Sequence, residues 1–254
     1  MNETPLNHSA PTYVIVGATG GIGRALSMRL RETGAQLILA GRRQEPLEEL
    51  GRELGARVIP TDARRFDEVA ELLSQAREEF GTIDGIAQLA GSILLKPAHL
   101  TSEEEYRDTL QSNLDPAFAT VRAGVPALRS SGGSIVLMAS AAAEVGLANH
   151  EAIAAAKSGI VGLARSAAAT YASWGIRVNV VAPGLVETGL SERITSNEAS
   201  RKASEAMHPL GRLGQPDEIA SAIAWLLSRE QSWVTGQVLG VDGGLAQVRG
   251  KGGR

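Results

Sequence analysis

The sequence contains no cysteine, and this absence removes several kinds of chemistry at once. Disulfides, thiolate metal sites, iron–sulfur clusters and cysteine nucleophiles are all excluded. Aromatic residues are also few, with three Trp, three Phe and three Tyr in 254 residues. The tyrosines are Tyr13, Tyr106 and Tyr171. A reaction that uses a phenol as its acid must therefore find it at one of these three positions.

A strong excess of charge and a long apolar run are missing as well. Lys and Arg total 25 against 28 Asp and Glu, a net charge of −3 that gives no basic footprint for nucleic acid or anionic membrane. Charged residues interrupt the longest apolar tracts, around 152–170 and 176–186, before they reach the roughly 20 residues of a membrane span. The N-terminus lacks the features of a signal peptide. The sequence therefore predicts a cytoplasmic protein that binds neither nucleic acid nor membrane.

No pattern of metal ligands is present in the sequence. The pair His150-Glu151 opens like the zinc motif His-Glu-x-x-His, but Ala154 occupies the position of the second histidine. The remaining histidines are scattered along the chain at His8, His99 and His208. We therefore predict no metal site.

Hydrophobic residues make up 43% of the chain, and their arrangement indicates an alternating fold. Short runs rich in β-branched residues predict strands at 13–17, 36–40, 57–60, 83–89, 134–139, 176–182 and 237–241. Between them, amphipathic patterns predict helices near 22–33, 44–54, 65–80, 101–130, 150–172 and 216–228. Alternation of strand and helix over the full length implies a parallel sheet with helices on both faces.

No repeat, low-complexity linker or change of composition divides the chain. The sequence therefore predicts a single doubly wound α/β domain over residues 13–246, built on a parallel sheet of about seven strands. We expect a flexible N-terminal segment at 1–12 and a flexible tail, rich in Gly and basic residues, at 247–254.

A glycine-rich segment follows the first predicted strand and leads into the first predicted helix. Glycines at such a turn let backbone N–H groups approach a pyrophosphate at the N-terminus of the helix. The segment has no Gly-Lys-Ser/Thr ending, so a nucleoside-triphosphate loop is not supported. The sequence therefore predicts a Rossmann-type dinucleotide-binding domain. The expected contacts are Gly17, Thr19, Gly20, Gly21, Ile22 and Gly23.

The second predicted strand ends in Arg42 and Arg43. In dinucleotide-binding folds an acidic residue near this point accepts the ribose 2′-hydroxyl of NAD, whereas arginine suits the 2′-phosphate of NADP. Two solvated arginines that begin a helix are the simpler interpretation. The position favours NADP as the cofactor, with NAD as the alternative.

These motifs, in this order, resemble the short-chain dehydrogenase/reductase family over nearly the whole chain. The family's adenine-contacting Asp matches Asp62, its Asn-Asn-Ala-Gly segment is replaced by Gln-Leu-Ala-Gly at 88–91, and its nicotinamide segment matches 177–188. Later matches fall at 209–216, 234–236 and 241–244. The resemblance implies further cofactor contacts at Asp62, Ala63, Ala90, Gly91, Lys157, Pro183, Gly184, Val186 and Thr188.

The resemblance also implies a catalytic set from which one member is missing. The family uses a Ser, a Tyr-x-x-x-Lys pair and often an Asn. The Ser matches Ser140, the Lys matches Lys157 and the Asn matches Asn113. The position four residues before Lys157 is Ile153 and not Tyr. In the family that Tyr gives a proton to the substrate oxygen, and the Lys lowers the phenol pKa from about 10 and binds the ribose. Because general acid catalysis is worth roughly 10²–10⁴ in rate, an unmodified mechanism should be badly impaired.

His150 is one candidate for the missing acid. It lies three residues before Ile153 and seven before Lys157, which places all three on one helical face. Enoyl reductases of this superfamily carry their Tyr seven residues before the Lys, and an imidazole with a pKa near 6.5 is a competent acid at neutral pH. The alternative interpretation is a histidine at the start of a helix that faces solvent or donates to a backbone carbonyl.

Three functions are compatible with this pattern. The first is an NADP(H)-dependent oxidoreductase acting on a small carbonyl, alcohol or enone, whose acid is His150 or a water held by Ser140 and Lys157. The second is a catalytically impaired NADP-binding sensor or the inert partner in an oligomer, and the third is a C=C reductase or lyase. The resemblance further implies a homotetramer, built in part by the Ala-rich helix at 152–170 and the helix before it. It also implies a substrate lid at 189–208, for which disordered surface is the alternative.

Overall fold

The computed structural model describes residues 10–249, which form seven strands, eight α-helices and four single turns of 3₁₀ helix. The strands are β1 (Thr12–Val16), β2 (Gln36–Gly41), β3 (Arg57–Pro60), β4 (Gly85–Gln88), β5 (Gly133–Met138), β6 (Ile176–Pro183) and β7 (Val238–Val241). The helices are α1 (Gly21–Glu32), α2 (Gln44–Leu54), α3 (Phe66–Phe80), α4 (Glu103–Leu128), α5 (Glu151–Tyr171), α6 (Glu192–Thr195), α7 (Glu198–Met207) and α8 (Pro216–Leu227).

All seven strands are parallel and lie in the order β3-β2-β1-β4-β5-β6-β7. The chain first builds outward from β1 to β3 and then returns to place β4 on the other side of β1. The order therefore reverses between β1 and β4, and ligands of such sheets bind outside the carboxyl ends of the strands at this point. The doubly wound fold with about seven parallel strands is confirmed.

The core consists of two apolar layers, one on each face of the sheet. In β1, Val14 and Val16 enter the layer formed with α3, α4 and α5, while Tyr13 and Ile15 enter the layer formed with α1, α2 and α8. Successive strand residues point to opposite faces, so a strand covered on both sides is apolar throughout. The uninterrupted hydrophobic runs in the sequence have this cause.

Two helix starts show how the local sequence sets the boundaries. The acidic run at 103–105 begins α4, where Ser102 and Glu105 form a capping box: Ser102 Oγ accepts from the Glu105 N–H (3.1 Å), and Glu105 Oε2 accepts from the Ser102 N–H (2.8 Å). In α7, Asn197 Oδ1 accepts from the Ser200 N–H (2.9 Å). Disordered surface is therefore the wrong interpretation for the region that contains α6 and α7.

The described residues begin at 10 and end at 249, so they include only the inner parts of the two segments expected to be flexible. Strand β1 begins at Thr12, so the ordered domain starts one residue inside the segment expected to be flexible. Of the two terminal segments expected to be flexible, residues 1–9 and 250–254 lie outside the described residues. None of the described helices is long and apolar enough to cross a membrane. Residues 10–249 also contain no group of three His, Asp or Glu side chains that could hold a metal ion.

Candidate dinucleotide and reaction site

The glycine turn lies at the carboxyl end of β1, where the order of the sheet reverses. Gly17 has a φ of +86°, and a Cβ at this position would lie 2.7 Å from the backbone nitrogen of Ala90. A Cβ on Gly23 would lie only 2.2 Å from the carbonyl oxygen of Gly17. Neither position tolerates a side chain, because the backbone itself fills the space. The turn is thereby held against the segment that follows β4.

The turn presents unpaired backbone donors at the start of α1. The helix is capped by Gly20, which has no side chain to satisfy the first turn. Within residues 10–249, no group accepts a hydrogen bond from the N–H of Gly21, Ile22 or Gly23. Three free N–H groups at the positive end of a helix dipole form a binding site for an anion such as a pyrophosphate. The residues present therefore fit the phosphate part of a dinucleotide.

A cleft of about 560 Å³ runs from this turn across the carboxyl ends of β2, β3 and β4. It brings together ten of the residues predicted from sequence to contact the cofactor: Gly17, Thr19, Gly20, Gly21, Arg42, Arg43, Asp62, Ala63, Ala90 and Gly91. The lining also includes Arg64 and Ser92, which were not predicted as cofactor contacts, and Leu190 and Glu192 from the segment expected to form a substrate lid.

Gln88 shapes the far wall of the cleft. Its side chain is buried, with Oε1 accepting from the Ala90 N–H (2.9 Å) and Nε2 donating to the Ala90 carbonyl (3.1 Å). One amide thus satisfies both backbone groups of Ala90. Ala90 is also the residue that lies against Gly17. By holding Ala90, Gln88 therefore also fixes the position of the backbone that packs against the glycine turn.

Asn113 and Lys157 meet beside Gly91. The Asn113 amide donates to the Thr109 carbonyl (2.9 Å) and to Ser92 Oγ (3.0 Å), while its Oδ1 accepts from the Ser92 N–H (3.2 Å). A Cβ on Gly91 would lie 2.8 Å from Asn113 Oδ1 and 3.5 Å from Lys157 Nζ. Two members of the predicted catalytic set therefore converge on one glycine of the cleft.

The ammonium of Lys157 is buried and has a single described acceptor. Its Nζ donates to the carbonyl of Met138 (3.0 Å), the last residue of β5, and so joins α5 to the sheet. Burial lowers the pKa of Lys157 to about 8, and no carboxylate among residues 10–249 offsets this by favouring the charged form. Two of its three N–H donors remain for a ligand.

Ser140 lies two residues beyond β5, at the start of a single 3₁₀ turn. Its Oγ accepts from the Ala142 N–H (3.2 Å), which leaves the hydroxyl proton available to a ligand. Among the described residues, no direct hydrogen bond joins Ser140 to Asn113 or Lys157. Ile153, in the first turn of α5, is only 5% exposed and is packed as a core residue.

His150 occupies the position just before α5, after Asn149 with its φ of 64°. Its Nδ1 lies 2.7 Å from the Ala148 carbonyl, which assigns the proton to Nδ1 in the neutral ring and leaves Nε2 as an acceptor. No described hydrogen bond links His150 to Ser140 or Lys157. These contacts agree with the sequence interpretation of a histidine that donates to a backbone carbonyl.

None of the three tyrosines stands in for residue 153. Tyr13 is buried in β1, where burial and the nearby Asp84 carboxylate raise the pKa of its phenol. Tyr106 lies in the first turn of α4, and Tyr171 ends α5 with its ring against Trp174. No hydrogen bond of the described residues connects any of these phenols to Ser140 or Lys157.

The predicted nicotinamide segment, residues 177–188, contacts the glycine turn at its C-terminal end. A Cβ on Gly21 would lie 2.9 Å from Cγ2 of Thr188, so this threonine packs directly on the start of α1. The Thr188 N–H donates to Ser191 Oγ (3.0 Å). Glu187 pairs with Arg201 of α7 and accepts from Gln215 Nε2 (2.5 Å). Contacts to α7 and to the residue before α8 therefore hold the segment in place.

His208 fixes the Pro183-Gly184 turn, although the sequence analysis assigned it no role. It is 3% exposed, its Nε2 accepts from the Leu185 N–H (3.1 Å), and its Nδ1 lies 2.7 Å from the Ser204 carbonyl. A Cβ on Gly184 would lie 2.5 Å from the same Nε2. The imidazole therefore ties α7 to the turn. Its place directly before the predicted match at 209–216 was the only available signal.

At the other end of the cleft, Asp62 is engaged by Arg64. Hydrogen bonds from the Arg64 guanidinium, helped by the nearby charge of Arg42, hold the pKa of Asp62 below its usual value. The Ala63 N–H and the guanidinium groups of Arg42 and Arg43 have no partner among the described residues. At the adenosine end of the cleft, the Asp62 carboxylate is thus hydrogen-bonded within the protein, whereas the guanidinium groups of Arg42 and Arg43 can bind a ligand.

A parallel doubly wound sheet with free helix N–H groups at its switch point defines a dinucleotide-binding α/β protein. Comparison with known proteins narrows this class. The family model described as enoyl-(acyl carrier protein) reductase matches residues 17–246. Cis-4-hydroxycyclohexanecarboxylate dehydrogenase of Sinomonas cyclohexanicum is 37% identical, over 92% of this chain and 96% of that protein. The 3-oxoacyl-[acyl-carrier-protein] reductase of Thermotoga maritima is 34% identical, over 91% and 96% of the two chains.

A solved structure agrees with these relatives. The short-chain type dehydrogenase/reductase from Mycobacterium ulcerans superposes with a TM-score of 0.89 at 30% identity, over 96% of this chain and 93% of that one. The chain belongs to the short-chain dehydrogenase/reductase family of oxidoreductases. Membership implies a nicotinamide dinucleotide cofactor and a small-molecule substrate.

Proposed function

We propose that this protein is an NADP(H)-dependent oxidoreductase that moves hydride between its dinucleotide and a small carbonyl, alcohol or enone, with a proton donor other than tyrosine. The observation that carries the proposal is the convergence of Asn113 and Lys157 on Gly91 at the cleft. Burying an ammonium without a carboxylate costs stability. A ligand that accepts hydrogen bonds from the free N–H groups of Lys157 would compensate for this cost and would explain why the lysine is buried beside Asn113.

The preference for NADP rests on Arg42 and Arg43. Both are exposed on the cleft beyond β2, and neither guanidinium pairs with another described residue. A 2′-phosphate supplies the anion that such a pair binds well, because guanidinium groups match phosphate oxygens in geometry and charge. NAD offers only a neutral hydroxyl at this point.

The bound dinucleotide supplies or accepts the hydride, and the residues of this chain orient the substrate and move the proton. The Ser140 hydroxyl and the free N–H groups of Lys157 are suited to hold the substrate oxygen or a water beside it. The contacts of His150 favour that water as the donor, because none of the described hydrogen bonds of His150 leads to Ser140 or Lys157.

The test is a substrate screen that follows NADPH absorbance with ketones, enones and alcohols, cyclic compounds included because one relative acts on a cyclohexane ring. We expect turnover in the parent protein and a loss of about 10²-fold or more in Lys157→Met and Ser140→Ala. His150→Ala should stay within about 2-fold of the parent, whereas a loss comparable to that of Ser140→Ala would make His150 the acid. Absence of turnover in a parent that binds NADPH would overturn the enzyme proposal.

A second function is favoured by Ile153, which is an apolar core residue at the position of the usual acid. On this reading the protein is an NADP-binding sensor or the inert partner of an active subunit. Calorimetry with NADPH, combined with the screen on Ile153→Tyr, separates the two functions. Tight binding without turnover in the parent, and activity gained in the variant, would favour the sensor.

We further propose a homotetramer in which a second copy packs along α4 and α5. A groove of about 680 Å³ runs between these helices, and Phe118 (50% exposed) and Trp174 (38% exposed) line it. Light scattering should give four times 26.5 kDa, and Phe118→Glu should lower the mass. A monomer at micromolar concentration would contradict the proposal. The cytoplasmic location stays a prediction from the sequence.

A further inference from the structure

Two apolar side chains are exposed just beyond Gly91, the glycine beside which Asn113 and Lys157 meet. Ile93 is 38% exposed and Leu95 is 42% exposed. The residues between and around them are less exposed, so the two side chains alternate with residues that face the fold. Neither Ile93 nor Leu95 belongs to the two apolar layers of the core. They therefore form an apolar surface of their own next to the proposed catalytic groups.

Backbone hydrogen bonds hold this segment at both ends. The Ser92 N–H donates to Asn113 Oδ1 (3.2 Å), and the Lys96 N–H donates to the carbonyl of Asn149 (2.8 Å), the residue before His150. The exposure of Ile93 and Leu95 is therefore a feature of a fixed backbone. Apolar surface left in water forgoes the free energy of burial, and a ligand that covers it recovers that free energy.

Leu190 adds a third exposed apolar side chain from a different part of the chain. It follows Thr188, whose methyl group packs on the start of α1, by two residues. More than half of Leu190 is exposed, and it lines the same cleft as Ser92. Apolar side chains from two separate segments therefore border the space beside Gly91.

The charged side chains around this space are already engaged. Lys96 is the cation of the bordering segments, and its Nζ is paired with Glu105 (2.8 Å). The carboxylates of Glu144 and Glu187 accept hydrogen bonds from side chains elsewhere in the chain. Within the bordering segments, all of which the structure describes, no cation is left to meet an anionic group of a substrate. These segments are residues 92–96, 140–149 and 184–190.

We propose that the substrate is an uncharged molecule with an apolar body, which Ile93, Leu95 and Leu190 bind while Ser140 and Lys157 face its reacting oxygen. The inference rests on the proposed function and names the substrate class of the same site. A carboxylate placed against these side chains would lose its water without gaining a counter-ion. The site therefore selects neutral ketones and alcohols over carboxylated ones of the same size.

The competing occupant of this apolar surface is a second copy of the chain. The groove that we assign to a second copy begins on α4 at Phe118, which is 13 residues beyond Glu105. At the rise of an α-helix this spacing is about 20 Å. Glu105 is the residue that pairs with Lys96, at the end of the segment that carries Ile93 and Leu95. The position of the apolar surface thus favours the substrate as its occupant.

The experiment compares 4-methylcyclohexanone with 4-oxocyclohexanecarboxylate, two ketones of one ring that differ in a methyl group or a carboxylate. We measure kcat/KM with NADPH. Calorimetry gives the dissociation constant of each ketone from the protein saturated with NADP+, in which no hydride is available and binding is measured without turnover. The affinity for NADPH and the mass by light scattering are recorded for every variant.

The variants remove the apolar surface or place a cation on it. Ile93→Ser and Leu95→Ser shorten the side chains, and Leu95→Arg supplies a counter-ion. Leu100→Arg is the matched control, since Leu100 is an exposed leucine in the 3₁₀ turn outside the three bordering segments.

We expect the parent to favour the methyl ketone by about 10-fold or more in both measurements. Leu95→Ser and Ile93→Ser should each lower kcat/KM for this ketone by about 5-fold and leave the NADPH affinity within about 2-fold. Leu95→Arg should raise kcat/KM for the carboxylated ketone by about 5-fold, as a partly exposed ion pair predicts. Leu100→Arg should keep the preference of the parent.

A parent that treats the two ketones alike or favours the carboxylate would overturn the inference. The same follows if Leu95→Arg leaves the preference unchanged, or if Leu100→Arg shifts it equally. A lower mass without a changed preference would assign the surface to a second copy. Turnover of other ketones, with neither of these two bound, would overturn this inference and leave the proposed function standing. NADPH binding without turnover of any ketone would overturn the proposed function, while the NADP+ complexes would still show whether the preference exists.

Discussion

The two ends of the cleft use different chemical groups to define a binding site. At the phosphate and adenosine end, the backbone of the glycine turn and the exposed side chains of Arg42 and Arg43 provide the binding groups. At the reaction end, beside the cleft and not in its lining, Lys157 and His208 are buried, and each hydrogen-bonds to backbone groups from a distant part of the chain. Backbone geometry that glycine alone permits defines the first end. Side chains that need correct tertiary partners define the second.

Gly23→Val should give the largest loss of stability and of NADPH binding, because it disrupts the backbone of the glycine turn at the phosphate end of the cleft. A Cβ here would lie 2.2 Å from the Gly17 carbonyl oxygen, so the turn must open to admit it. We expect a loss of stability of about 4 kcal/mol or more, and no measurable NADPH binding. Urea unfolding and calorimetry provide the measurements. Gly146→Ala, where the added carbon meets nothing within 4 Å, is the control and should leave both unchanged.

If Gly23→Val were stable and bound NADPH normally, the turn would not depend on its backbone, and the contrast between the two ends would disappear. Glycine is also what made this end predictable. A glycine-rich segment between a strand and a helix has few backbone solutions, so the sequence alone places its N–H groups.

The strands were equally accessible from sequence. Apolar runs predicted all seven strands, with ends that agree with the structure to within two residues, since a strand buried on both faces must be apolar throughout. Helix α7 was not predicted, because it has no buried apolar face. Its described contacts include an Asn197 cap, the i,i+4 pairs of Arg201 and Lys202, the pairing of Arg201 with Glu187, and the Ser204 carbonyl beside His208. Tertiary partners of this kind leave no periodic pattern in a sequence.

The reaction end is tested by the pH dependence of stability in Lys157→Met. The folded-state pKa of Lys157 is about 8 against 10.5 for the free side chain, so between these values the unfolded chain binds more protons. Parent stability should therefore rise relative to the variant from pH 8 to pH 10.5, by about 3 kcal/mol in total. Urea unfolding of both proteins at pH 7.5, 9 and 10.5 measures the difference. A difference independent of pH would mean that the ammonium is not buried in solution.

His208→Leu tests the second buried group and should have a smaller effect. The substitution removes the acceptor of the Leu185 N–H and the partner of the Ser204 carbonyl, which leaves two partly buried backbone groups unsatisfied. We expect a loss of about 2 kcal/mol in stability and weaker binding of NADPH. Binding of 2′,5′-ADP, which reaches only the adenosine end, should not change. His208→Gln, whose amide can both donate and accept, should recover part of the loss.

Equal weakening of NADPH and 2′,5′-ADP in His208→Leu would show that the two ends are not independent. The role of His208 was missed from sequence for a physical reason. A lone histidine gives no sign of its partners, and the Leu185 N–H that it satisfies lies 23 residues away along the chain. The pairing of Arg64 with Asp62 was also not predicted, although the two residues are close in sequence. Sequence spacing alone does not show which side chain a guanidinium will contact.

The smallest expected effect belongs to Arg42→Ala, which removes one exposed cation from the adenosine end. If Arg42 faces a 2′-phosphate, the affinity for NADPH should fall by about 10-fold while that for NADH stays within about 2-fold. Raising the salt concentration should shrink the difference, because screening weakens a solvent-exposed ion pair. Equal losses for NADPH and NADH would contradict the assignment to NADP. Arg42 makes no hydrogen bond or ion pair among the described residues, and its described interaction is the charge that helps to lower the pKa of Asp62. Its removal should therefore change the unfolding temperature little, and the change in affinity reports mainly on the nucleotide.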